Sequence, residues 1–326
     1  MTDEIRPRPH QHGFPTPEDL PGDTSREDLT GADVYSDGTE VEARSQWLLF
    51  RRKFLRHKLA MGSIVFLFIV TVLAFFVEQI TPHAFDEPNI LMRQTAPTFE
   101  DWHLFGTDQI GRDYLTRVLL GAQISLRLAA IVAVLSTAIG VTVGALAGFY
   151  RGWIDSLLMR ITDLVLVIPL LAVLLVASAL FGGGDPVRIA ILLALFLWTS
   201  LARIVRGVFL SLREKEYVQA ARACGASDLR IIVRHMLPNT IGPIVVNLTL
   251  VLAAAILIEA TLSFLGLGVN PPLPALGRLM DDGRSSMLTS WWLIILPGIV
   301  LVSIALAINF IGDGLRDALD PTQQES

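Results

Sequence analysis

The chain has 326 residues, 52% hydrophobic and 17% charged, with a mean hydropathy of +0.54. Soluble domains carry about 25% charged residues, so this balance excludes an ordinary soluble enzyme and implies an integral membrane protein. The formal net charge of −5 is unevenly placed: residues 1–45 hold eleven acidic residues against four arginines, a balance of −7, which leaves +2 for the rest and gives no basic footprint for nucleic acid.

Residues 1–45 are rich in proline and acidic side chains and poor in aromatic ones. Such a segment cannot bury enough apolar surface to fold alone, so an acidic, mostly disordered tail is expected. A second reading is an arm that packs on a cytoplasmic partner. It is not a signal peptide, because its start is acidic and the first apolar run begins near Leu59. Residues 46–77 join a basic segment (Arg51, Arg52, Lys53, Arg56, Lys58) to that first run.

Runs without a charge cover 59–77, 128–149, 164–181, 189–202, 240–258 and 287–312. Most approach or exceed the roughly 18–20 residues of a spanning helix. The run at 189–202 is short, but Arg188 and Arg203 bracket it and can snorkel to the interfaces. The expected fold is all-α and integral to the membrane, with six transmembrane helices. Its parts are the tail 1–45, the basic segment and first helix 46–77, an external segment 78–121, a five-helix core 122–318 and a short C-terminal tail 319–326.

Lysine and arginine set the orientation. With six spans both termini lie on one side. Besides the basic segment, that side holds Arg151, Arg160, Arg203, Arg206, Arg213, Lys215, Arg222, Arg230, Arg234 and Arg316. The other holds Arg93, Arg112, Arg117, Arg188, Arg278 and Arg284. The richer side is cytoplasmic, so both termini and the loop 206–239 are expected there.

The external segment contains GTDQIGRD at 106–113, whose spacing mimics a phosphate loop. Arg112 replaces the lysine and Asp113 the magnesium-binding hydroxyl, so no ATP site is read from it. Thr107 and Asp108 look like a helix cap, with Arg112 placed to pair with Asp108. In the second run Ser136, Gly140, Gly144 and Gly148 recur every four residues, a stripe that lets two helix backbones approach closely in lipid. Near the third run Asp163 reads as an interface anchor and Pro169 as a kink.

The loop 214–239 carries the strongest pattern. Tyr217, Ala220, Ala221 and Cys224 fall at i, i+3, i+4 and i+7, one small and mostly apolar helix face. Gly225 then breaks the helix, and Ser227 is placed to cap a second one. There Leu229, Ile232, Val233 and Met236 repeat the period, and Pro238 closes it. Two short helices joined at a glycine form a knob with alanines at its contact face. Cys224 is the sole cysteine, so no intrachain disulfide forms, and it reads as a small apolar contact.

EYVQAARACGA at 216–226, followed by RHMLPN at 234–239, resembles the glutamate-alanine-alanine loop of ABC-importer inner-membrane permeases. GTDQIGRD is similar to the signature of their dipeptide/oligopeptide/nickel branch. The resemblance implies that Glu216, Tyr217, Ala220, Ala221, Cys224, Gly225 and Ala226 dock on an ATPase subunit and carry its motion to the membrane. It implies a permease for di- or oligopeptides in a bacterial inner membrane. Its expected partners are a second homologous permease, two cytoplasmic ATP-binding subunits and an external peptide-binding protein. A nickel chelate, glutathione or haem remains an alternative substrate. Gln123 departs from the branch, where arginine is common at that position.

Glu259 lies inside the expected fifth span, directly after its charge-free run, where a carboxylate costs about 2.5–3.5 kcal/mol on the insertion scale. Two roles stay open for it: lining the translocation path, or pairing with Arg127 at a comparable depth. In the loop 267–290, Pro271, Pro272 and Pro274 stiffen the chain, and Trp291 and Trp292 suit an interfacial belt. No catalytic group, cofactor site or metal cluster is read from the sequence, since no His-Glu-x-x-His or comparable set occurs. A secondary transporter would need broken helices and coupling-ion chemistry, for which Glu259 alone is thin support.

Overall fold

The computed structural model describes residues 46–181 and 184–319. The expected disordered tail 1–45 and the last residues 320–326 lie outside the described residues. No strand occurs among the described residues, only two isolated bridges. The principal helices are α1 (Gln46–Arg56), α2 (Lys58–Phe75), α3 (Tyr114–Tyr150), α4 (Gly152–Val167), α5 (Leu170–Phe181) and α6 (Pro186–Leu197). They continue as α7 (Thr199–Leu212), α8 (Glu216–Ala223), α9 (Ile241–Phe264), α10 (Leu276–Gly283) and α11 (Trp292–Leu319).

Four helices are long and apolar enough to cross a membrane, and the number rises to six if each of two bent pairs is one span. One pair is α4 with α5, bent by 77° where Pro169 has no N–H to donate. The other is α6 with α7, bent by 40° at Trp198. The short run at 189–202 is therefore part of a longer element, Pro186–Leu197 plus Thr199–Leu212. Its charges hid it: Arg203 pairs with Asp163 at 2.5 Å, and Arg206 grips Asp155 through two bonds of 2.5 and 2.6 Å.

The centre of the bundle is α3, whose 37 residues reach roughly 55 Å at 1.5 Å per residue. It starts at Tyr114, earlier than the apolar run suggests, because the charged turn at Arg117 is buried. The stripe of small residues faces α7. A Cβ on Gly140 would lie 2.8 Å from the Trp198 carbonyl oxygen, and one on Gly148 would lie 2.6 Å from Phe209 Cβ. On Gly144 it would meet the Ala202 carbonyl and lie 2.8 Å from Val205 Cβ. With no hydrophobic drive between helices in lipid, this backbone-to-backbone approach supplies the contact. The opposite margin of the bundle pairs α9 and α2 with α11, where Gly312 and Gly314 let Thr249 and Ala60 come close.

Candidate functional site

At one end of the bundle, residues 213–240 build the knob. Its first helix, α8, ends in two bonds: Ala226 N–H donates to the Ala221 carbonyl at 3.1 Å, and Gly225 N–H to the Arg222 carbonyl at 3.0 Å. This is a Schellman turn, and Gly225 takes the left-handed conformation it needs, with φ +77°. Ser227 has extended backbone at the next helix start, but its side chain makes no capping bond.

The knob's inner side joins a second apolar cluster at this end, in which Val218, Ile231 and Met236 pack with Phe149, Val205 and Phe209. Of the face expected from periodicity, Ala221 is half-buried against this cluster, as is Ala226. Glu216, Tyr217, Ala220, Cys224 and Gly225 are exposed. The alanine face is thus divided: one edge holds the knob to the bundle, and the other is free.

The second helix does not stop at Pro238. From Asp228 to Phe264 the chain is one helical path, through a π-turn at Ile231–Met236 and a 3-10 turn at Leu237–Thr240. Pro238 sits in the first positions of the 3-10 turn, where no N–H is demanded of it. Side chains take up the carbonyls of the irregular stretch: Asn239 donates to His235 at 2.7 Å, and Thr240 donates to Met236 and Leu237 at 2.9 Å each. The wider π winding also moves the buried face. Ile231 and Met236, five apart, are buried, whereas Leu229 is 72% and Val233 52% exposed.

Polar contacts clamp the knob to the end of α3. Arg213 donates to the Phe149 carbonyl at 2.6 Å, Arg151 to the Glu214 carboxylate at 2.6 Å, and the Arg222 guanidinium lies 5.5 Å from the centre of the Phe149 ring. None of these was legible from the sequence.

At the far end, the 106–113 signature ties its loop together through backbone and side-chain hydrogen bonds. Gly106 and Gly111 have φ of +74° and +86°, and each lies against another backbone, at Thr95 and Asn89. Buried Thr107 accepts from Thr95 N–H at 2.9 Å and donates to the Met92 carbonyl. Asp108 accepts from the backbone N–H of Ile110 and of Arg112, from Arg112 Nε at 2.7 Å, and from Arg117. The expected Asp108–Arg112 pair is present, but the helix cap is Asp113. It accepts from Thr116 N–H at 2.8 Å and pairs with His103 Nδ1 at 2.9 Å.

The second far-end loop is bound to the first. Gln94 donates to Ser286 Oγ at 2.7 Å, Gln109 to the Asp282 carbonyl at 2.5 Å, and Trp292 Nε1 to the Thr107 carbonyl at 3.3 Å. Trp292 is only 5% exposed, so it belongs to this joint rather than to an interfacial belt; Trp291 is half-exposed. Burial pushes the Asp282 carboxyl above the ordinary carboxylate range, against the pull of Arg278.

Glu259 and Arg127 do not meet. The Glu259 carboxylate is fully buried and accepts from Ser125 Oγ at 2.9 Å and Ser263 Oγ at 2.6 Å. Ser263 Oγ in turn accepts from Val269 N–H at 3.2 Å. These bonds join α3, α9 and the loop after α9. Arg127 is exposed, with its guanidinium 4.7 Å from the centre of the Phe75 ring. Asp163 pairs with Arg203, linking α4 to α7. Among the described residues, no group of three or more histidine, cysteine, aspartate or glutamate side chains is arranged to hold a metal ion.

The model of the binding-protein-dependent transport system inner membrane component matches residues 140–324. That of the N-terminal transmembrane domain of oligopeptide transport permease C matches residues 45–97. The chain is 45% identical over 278 residues to a putative peptide transport system permease protein of Brucella abortus, covering 85% of this chain and 93% of that one. It is 37% identical over 287 residues to the oligopeptide transport system permease protein OppC of Escherichia coli, covering 88% and 95%. With OppC of Mycobacterium bovis it shares 39% over 285 residues, covering 87% and 97%. The chain belongs to the family of binding-protein-dependent transport system inner membrane components, the multi-pass permease subunits of ABC transporters.

Proposed function

We propose that this chain is one permease subunit of an ATP-driven importer of di- or oligopeptides and forms half of the translocation pathway. A second, related permease completes the channel. Two cytoplasmic ATP-binding subunits engage the knobs, and an external peptide-binding protein delivers substrate to the far-end loops. Both termini lie in the cytoplasm, on the side of the knob, as the arginine and lysine bias requires. The peptide class rests on the names of relatives such as the peptide permease of Brucella abortus and the OppC proteins.

The observation that carries the reading is the free edge of the knob. Tyr217, Ala220 and Cys224 stand exposed on or at the end of a helix that is held to α3 by its own Arg222 and by Arg213 just before it. A small-residue face on a rigid mount is what a coupling element needs: it fits a groove closely and passes displacement on. ATP-driven closure of the ATPase pair then swings the permease halves between inward- and outward-open states. Hydrolysis belongs to those partners.

Ala220→Trp tests this. Ala220 is exposed, so the substitution leaves the knob's core intact while filling the space of a docked partner. Overpacking a tight contact costs roughly 1–3 kcal/mol. The variant should insert and join the second permease normally, yet lose co-purifying ATPase subunits and peptide uptake in reconstituted vesicles. Normal docking and uptake would mean that this edge faces no partner.

A further inference from the structure

With Glu259 satisfied by two serines, Arg127 is left as an uncommitted cation. Its guanidinium lies over Phe75 and has no acidic partner among the described residues. Arg127 lines a cavity of about 380 Å³ whose walls are mostly apolar, Phe85, Ile124 and Leu273 among them. Two further polar residues line the same cavity: Gln123, one helical turn before Arg127 on α3, and Glu78 beyond the end of α2. Few convergent polar groups in an apolar cavity of this size are the usual composition of a small-ligand site.

The cavity is also placed on a continuous feature. Arg127, Ile131, Val134, Ala138 and Thr142 follow one another at helical spacing along α3, on the side away from the Gly140–Gly144–Gly148 stripe. Val134 is 63% exposed, and Ala138 and Thr142 are exposed as well. The second half of that face lines another groove, of about 590 Å³, with Ile241 and Ile244 of α9 and with Pro238 beside the knob. One uncovered helix face thus runs from the Arg127 cavity toward the coupling element. A guanidinium on such a face is costly against lipid tails and cheap in a wet path.

We infer that the Arg127 cavity is a binding step on the translocation path, at which the guanidinium receives the C-terminal carboxylate of the passing peptide. The planar fork of arginine matches a carboxylate through two parallel N–H···O bonds. Gln123 adds a neutral donor. Glu78 suits the ammonium at the other end of a short peptide or a basic side chain. The apolar walls accept side chains without selecting among them. This assignment rests on reading the chain as a peptide-importer subunit.

The test uses the complete importer with its binding protein in proteoliposomes, and two peptides of one sequence, one ending in a free carboxylate and one in an amide. Arg127→Gln should lower uptake of the free-acid peptide about tenfold, the worth of one charge-assisted contact, and leave the amide unchanged. Arg127→Lys, which keeps the charge without the fork, should fall between. Co-purification of the partner subunits checks assembly. Equal losses for both peptides would overturn the inference and make Arg127 a packing or lipid-headgroup residue. An unchanged free-acid rate would overturn it outright. A wild-type complex that imports neither peptide would instead overturn the peptide reading beneath it, so the two failures are distinct.

Discussion

Replacing Gly225 separates the geometry of the knob from its chemistry. The residue has φ +77°, and a Cβ built there meets no atom within 4 Å. Substitution therefore carries no clash, only the left-handed backbone penalty of about 1–2 kcal/mol for an L residue. Valine, branched at Cβ, lies at or above the top of that range, and asparagine, which tolerates this conformation, near the bottom. The Schellman bonds of Ala226 and Gly225 hold Ala221 and Ala226 on the apolar cluster, so an altered turn tilts α8 and displaces Tyr217 and Cys224. An energy of this size is a factor of about 5–30 in the ratio of correct to altered turn. In reconstituted importer, substrate-stimulated ATPase activity and uptake should fall, by up to that factor, for Gly225→Val and much less for Gly225→Asn. The thermal midpoint of the isolated subunit should barely move, since the spans are untouched. Wild-type uptake in Gly225→Val, or equal losses in the two variants, would refute the argument from backbone conformation.

Other substitutions probe the joints within the bundle. Glu259→Ala leaves the Ser125 and Ser263 hydroxyls buried without their acceptor, at a cost of about 1–3 kcal/mol. A clear drop in thermal midpoint in detergent is expected, with Glu259→Gln milder; an unaltered midpoint in Glu259→Ala would remove its structural role. Gly144→Val should part α3 from α7, because the Ala202 carbonyl and Val205 Cβ already occupy the space of a side chain. The measurement is yield and monodispersity of the purified subunit, which Gly207→Val, at a glycine with nothing within 4 Å, should leave unchanged.

Regular periodicity made most of the fold legible. Charge-free runs located the spans, and the four-residue spacing of small residues on α3 marked its closest neighbour face before that neighbour was known. Three features escaped for definite reasons. The α4–α5 bend was legible as a kink at Pro169, but the bend at Trp198 was not, and the full length of both pairs hid because Asp155–Arg206 and Asp163–Arg203 neutralise charges that interrupt an apolar count. The second half of the knob buries residues five apart, a π-turn period that a 3.6-residue template misreads as Leu229 and Val233. The pairing of Glu259 with Arg127 failed on helix geometry. Ser125 and Arg127 are two residues apart, about 200° around the helix at 3.6 residues per turn. Once Ser125 faces Glu259, Arg127 must face away. The signature at 106–113 was visible as a pattern, but its contacts involve Asn89, Thr95 and His103, which no spacing rule connects to it.

Docking of the knob on an ATPase subunit is the central claim, and the chain carries its own probe for it. Cys224 is the sole cysteine and is exposed on the free edge of α8. A short thiol-directed photo-crosslinker attached there in the assembled importer should capture an ATPase subunit in high yield, with a yield that changes between nucleotide-free and ATP-bound complexes. Capture of lipid or of the permease alone, in a complex that still hydrolyses ATP and imports peptide, would contradict the claim.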